Sequence, residues 1–138
     1  MTANSNSAQA MLELALCAPI VIVLALGTVA SVQVAGARAG LEAATQAAGA
    51  AAARAPDPAT AVSSARERFS AAVSDYPLRS ATLNISIGGF ERGGQVTATS
   101  SALVDVGWGP FLLLPAQLTL RSQVVVRLEP WRTHRRSA

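Results

Sequence analysis

The sequence predicts an α+β chain: a long amino-terminal transmembrane helix, a second amphipathic helix and a small three-stranded antiparallel sheet. Three observations carry that expectation. Residues 14–32 read LALCAPIVIVLALGTVASV, without a charge. Asp57 and Pro58 follow a run of helix-forming residues and mark the start of another helix. Past residue 80, apolar residues alternate with polar ones in stretches separated by glycine- and proline-rich turns, the signature of half-buried strands.

The first element follows from length. Leu14 to Val32, about nineteen residues at 1.5 Å each, matches the ~30 Å hydrocarbon thickness of a bilayer. A cleavable secretory signal competes with this reading, with Ala35-Gly36-Ala37 as its cleavage site, but residues 1–10 hold no Lys or Arg and the apolar stretch exceeds the usual signal length. Pro19 removes one helical hydrogen bond, and such breaks are tolerated in membrane helices. From Val34 to Arg54 the chain is mostly alanine with other strong helix formers, so the helix continues out of the membrane for several turns. Gly36 and Gly40 form a G-x-x-x-G pair that would let another helix approach closely.

Composition narrows the function. Of 138 residues, 51% are hydrophobic and only 14% charged, too few charges for a broad phosphate-binding face, so no nucleic-acid partner is expected. One cysteine, Cys17, excludes an internal disulfide, and the single histidine, His134, lies in a basic tail. A histidine-based metal cluster or a Ser-His-Asp triad would have to use that tail residue, which disfavours an enzyme, and no G-x-S-x-G motif occurs. No enzyme activity, cofactor, metal or small-molecule substrate is expected.

Glu13 stands at the edge of the apolar run, where a carboxylate either has a specific partner or is favoured by the positive end of the helix dipole. The stretch Ser7-Ala8-Gln9-Ala10-Met11-Leu12-Glu13-Leu14-Ala15-Leu16, followed by Pro19, resembles the amino terminus of TadE-like proteins, the pseudopilins or minor pilins of Tad (Flp-type) pilus systems. In that family a prepilin peptidase cuts just before an apolar helix and a glutamate occupies the fifth mature position. The resemblance therefore implies processing between Ala8 and Gln9, with Glu13 as the charge that pairs with the amino terminus of an adjacent subunit. The family usually carries glycine before the cut, where this chain has Ala8. Spacing gives this a physical sense, because residues four apart share a helix face.

The resemblance further implies a structural subunit that helps assemble a Tad-type pilus for adhesion or secretion. Its partners would be other pilin-like subunits, the prepilin peptidase, the Tad platform membrane proteins and membrane lipid. It would place residues 1–8 as a leader-like segment, 9–54 as the transmembrane and extended helix, and 55–138 as a small extracytoplasmic domain. The chain would be single-pass in the cytoplasmic (inner) membrane, although Arg38 and Arg54 follow the span and the positive-inside rule favours the opposite orientation. An alternative is a membrane-anchored extracytoplasmic binding module outside any filament.

The remaining elements follow in order. The second helix is expected to run from Pro58 to about Tyr76, with Val62, Ala65, Phe69, Ala72, Val73 and Tyr76 on one face against the sheet. Strands are expected over 81–87 with Leu83, Ile85 and Ile87 inward, over 95–106 with Val96 and Ala98 in phase, and over 117–129 with Leu118, Leu120, Ser122, Val124, Val126 and Leu128 on one face. Residues 88–94, rich in glycine, form a hairpin connection and not a phosphate loop, since no G-K-S/T follows. Residues 107–115 contain Trp108, Phe111, Leu112, Leu113 and Leu114, which either close the core or present a patch to a partner or to the membrane surface. The tail from Trp131 to Arg136 reads as a solvated terminus, with anionic lipid headgroups as its alternative partner.

Overall fold

In the computed structural model the described residues are 3–89, 93–107, 109, 113 and 115–128, with side chains from residue 6. Helix α1 (Ala3–Arg54) is followed by α2 (Pro58–Val73) and by strands β1 (Arg79–Ile87), β2 (Gln95–Asp105) and β3 (Gln117–Arg127). The strands form one antiparallel sheet in the order β1-β2-β3. The α+β architecture is thus the one the sequence predicts.

Helix α1 runs unbroken through Pro19 for 52 residues, ~78 Å at helical rise. Its carboxyl-terminal half is covered and its amino-terminal half is not. Ala30, Ala37, Leu41, Ala44, Thr45, Ala48 and Ala52 are buried, whereas no residue from 6 to 29 is. Small residues allow the helix to lie close on the sheet: a Cβ on Gly49 would sit 3.1 Å from Val126 Cγ2. The direction of the helix follows from its contacts. Ala30 and Ala37 cluster with Val104 and Val106, Thr45 meets Ser100, and Gly49 faces Val126, so α1 runs alongside β3 in the same sense. The uncovered half therefore projects from the end of the sheet where β2 finishes and β3 begins.

Asp57 caps α2 by accepting from the Thr60 backbone N–H (2.9 Å) and the Thr60 hydroxyl (2.7 Å). Those bonds favour the carboxylate and hold its pKa below the ordinary value. Because the folded value is depressed, the contribution is complete above the unfolded carboxylate range and is lost as pH falls through it. We expect D57A to destabilise the domain at neutral pH. D57N should keep a cap but flatten the acid limb of a stability-versus-pH curve below about pH 4, read from urea midpoints.

Two expectations about α2 are corrected. The helix ends at Val73, since Pro77 disfavours helical backbone at Tyr76, and Tyr76 N–H instead donates to the Val73 carbonyl at 3.1 Å. Its covered face consists of Ala61, Ala65 and Phe69, and it packs chiefly along α1, meeting the sheet only lightly at β1. Close helix–helix approach selects small residues at the contact, which brings Ala61 in, while Val62 is half-buried and Tyr76 is 39% exposed.

The sheet alternates as expected. Val96, Ala98, Ser100, Ala102 and Val104 of β2 are buried beneath the helices, flanked by Leu83, Ile85 and Ile87 of β1 and by Leu118 through Val126 of β3 in the same phase. β1 begins two residues earlier than predicted, with Ser80 at φ 50° and a register shift between Arg79 and Thr82.

One polar pair lies within this apolar layer. Thr45 donates its hydroxyl to the Leu41 carbonyl (2.6 Å), which leaves Ser100 as donor to Thr45 Oγ1 at 2.5 Å. Both side chains are fully enclosed. Thr45→Val keeps the shape but strands the Ser100 hydroxyl, at a cost of about 1–3 kcal/mol. Adding Ser100→Ala should recover most of that loss, and a double-mutant cycle in urea will read the non-additivity.

Candidate functional site

The amino-terminal half of α1 is the candidate site. Met11, Leu12, Leu14, Leu16, Ile20, Val21, Ile22, Val23, Leu24, Val29 and Val32 are all exposed, with apolar residues around the whole circumference. A helix apolar all round is stable in water only when buried. Nothing among the described residues buries it. Residues 6–29 span ~36 Å, enough to cross a bilayer, and the helix meets the length and composition criteria for doing so.

Between Glu13 and Arg38 the helix carries no charge. Its hydroxyls are turned inward upon the backbone: Thr28 donates to the Leu24 carbonyl (2.9 Å) and Ser31 to that of Gly27 (2.8 Å). Such bonds satisfy polar groups where water is absent. Charge resumes at Arg38, which pairs with Glu42 one turn on at 3.0 Å. The apolar segment is thus bounded by an acid at one end and an ion pair at the other.

At the amino-terminal edge, Ala8, Gln9 and Glu13 lie on the helix and are exposed. Gln9 and Glu13 share a face, the Gln9 amide reaching Glu13 Oε1 at 3.5 Å. Cys17, one further turn along that face, is a free exposed thiol. The structure therefore brings Gln9 and Glu13 together, in the relation their spacing implies.

The glycine pair has two different surroundings. Gly36 is exposed with open space where a Cβ would stand. Gly40 is buried, and a Cβ there would collide with the Tyr76 ring, reaching Cε1 at 2.7 Å. Gly40 is thereby used inside the chain, and Tyr76, which sequence reasoning assigned to the second helix, is what occupies it.

No family model, curated protein or solved structure matches the chain.

Among the described residues no three His, Cys, Asp or Glu side chains gather to hold a metal ion. Of the apolar loop, Trp108, Phe111, Leu112 and Leu114 lie outside the described residues, as does the tail from Glu129 onward. Leu113 is described, and it is 97% exposed at φ 57°. The sequence leaves both roles open for this segment, since an apolar run between two strands reads equally well as core or as an exposed patch.

Proposed function

We propose that the chain is a single-pass membrane subunit of pilin type, a pseudopilin or minor pilin that helps assemble a Tad-type pilus for adhesion or secretion. The observation that carries this reading is one continuous helix of which half is covered by a small α+β domain and half is apolar, uncovered and headed by Glu13. Burial of that half in a bilayer, or against sister helices, removes the exposed apolar surface. Glu13 then meets the amino group created at Gln9 of a neighbouring subunit, and the pair offsets the cost of holding either charge in an apolar assembly.

The amino terminus is cytoplasmic in this reading and the domain extracytoplasmic. Partners are other pilin-like subunits, the prepilin peptidase and the platform membrane proteins. Retention of the span is supported by packing: Ala30 and Ala37 close a core cluster with Val104 and Val106, and cleavage after Ala37 would discard both alanines.

Mass measurement of the mature amino terminus, on protein recovered from its native membrane, tests the proposal. A start at Gln9 is expected. An intact Met1 would turn the reading toward an anchored binding module, and a start at Arg38 would mean release by signal peptidase.

A further inference from the structure

We propose that the end of the sheet carrying the β2–β3 connection rests on the lipid bilayer, with Leu113 inserted as a second membrane contact beside the helix. The inference rests on the membrane-spanning part of the reading above and is independent of the pilus.

Height along α1 sets the level of the sheet. Taking Leu14 as the start of the hydrocarbon, Ala30 stands ~24 Å and Ala37 ~35 Å further along the helix axis. These two residues bracket the ~30 Å hydrocarbon thickness. They are also the residues that pack on Val104 and Val106, at the finish of β2, with Leu118 at the opening of β3 half-buried against the same cluster. The sheet end is therefore level with the bilayer surface.

The connection itself leaves from that end. Its base is closed by Val106 N–H donating to the Ala116 carbonyl (2.8 Å) and Gly109 N–H donating to that of Val106 (2.7 Å). Leu113, between those anchor points in sequence, is the most exposed large hydrophobic residue among those described, at 97%, and holds φ 57°, a region that costs a non-glycine residue energy. A leucine presented this way gains by entering hydrocarbon.

Charge is distributed to match. The first ion pair on the helix, Arg38–Glu42, lies just past the expected boundary. The pair Arg79–Asp105 (4.0 Å) lies at the same end of the sheet, where β1 starts and β2 stops. Both are exposed, at the level of the headgroups. The opposite end of the sheet begins at Gln95, ten residues and ~33 Å of strand from Asp105, and is far from lipid.

The test is site-directed spin labelling of the full chain in vesicles of 3:1 phosphatidylcholine to phosphatidylglycerol, in a Cys17→Ser background. Labels are placed singly at Val21, Leu113 and Gln95. Val21 reports the span and Gln95 the aqueous end. Relative accessibility to oxygen over a water-soluble nickel chelate is expected to be several-fold higher at Leu113 than at Gln95, and close to the value at Val21.

A label at Gly107 gives a second readout, with accessibility to the chelate rising several-fold when Leu113 is replaced by aspartate. If Val21 is in lipid while Leu113 matches Gln95, the docking inference is overturned and the span stands. If Val21 itself is accessible to the chelate, the membrane-spanning reading fails, and this inference with it.

Discussion

Phe69→Ala is expected to cost about 3–5 kcal/mol, the largest stability loss of any single truncation in the domain. The reason is the composition of the core. Its main cluster is built from Ala44, Ala48, Ala52, Ala55, Ala61, Ala65 and Ala102, with Leu41, Val96 and Leu128 as the other sizeable buried side chains. Phe69 is the largest member and fills the space between α2 and its neighbours. Alanines have no side-chain freedom with which to close a void, and backbones already in close approach cannot move inward. The cavity term is therefore expected near its full value.

For a domain of this size a loss of that order is a large share of the usual 5–15 kcal/mol. Pulse proteolysis across a urea series will read it, because the exposed half of α1 keeps its helicity in detergent and would mask the transition in circular dichroism. An unfolding free energy within about 1 kcal/mol of the unmodified chain would show that Phe69 does not organise the core.

Glu13→Gln tests the other half of the molecule, and its expected signature is the reverse: assembly lost with the fold intact. Within the described chain Glu13 has one recorded partner, the Gln9 amide at 3.5 Å, so the domain beneath α2 and the sheet should unfold at an unchanged urea midpoint. In the proposed assembly, glutamine would leave an ammonium group of the neighbouring subunit facing an apolar helix without its counter-charge. Losing one member of a buried pair costs about 3–5 kcal/mol, or roughly a hundredfold or more in association. Cross-linked oligomers in membranes and surface filaments should fall accordingly. Glu13→Asp should restore part of the loss, because the charge is kept while its reach is shortened. Wild-type assembly in the glutamine variant would sink the pilin reading and leave the anchored module.

The two variants divide the chain because the helix is divided. Its covered half is rich in alanine and glycine, and its uncovered half is rich in leucine, valine and isoleucine. That change of composition within one helix is visible in the sequence. So are the strand phases, because a period of two in Leu118 to Leu128 admits only one arrangement of inward residues over a one-sided sheet. The cap at Asp57 was legible for a similarly local reason: an acceptor followed by Pro58 has few other uses.

Other features were not legible. The partner of α2 was read as the sheet, and it is chiefly α1. Helical periodicity shows that a face is apolar, but it does not say which apolar surface receives it, and in an alanine-rich chain several candidate faces differ by a single methyl group. Ala61 and Val62 could be ranked only once the separation of the two helices was fixed. The use of Gly40 was hidden for the same reason, since the Tyr76 ring that meets it comes from a turn thirty-six positions away.

The sequence alone settled the number, type and order of the elements, because these follow from local period, capping and length. Tertiary structure decided which faces meet, that Ser100 donates a hydrogen bond to Thr45 within an apolar layer, and that the β2–β3 connection lies at the end from which the bare helix emerges. These depend on distances between residues far apart in the chain. Such distances are set by how closely small side chains let helix and sheet approach, a quantity that no single segment contains.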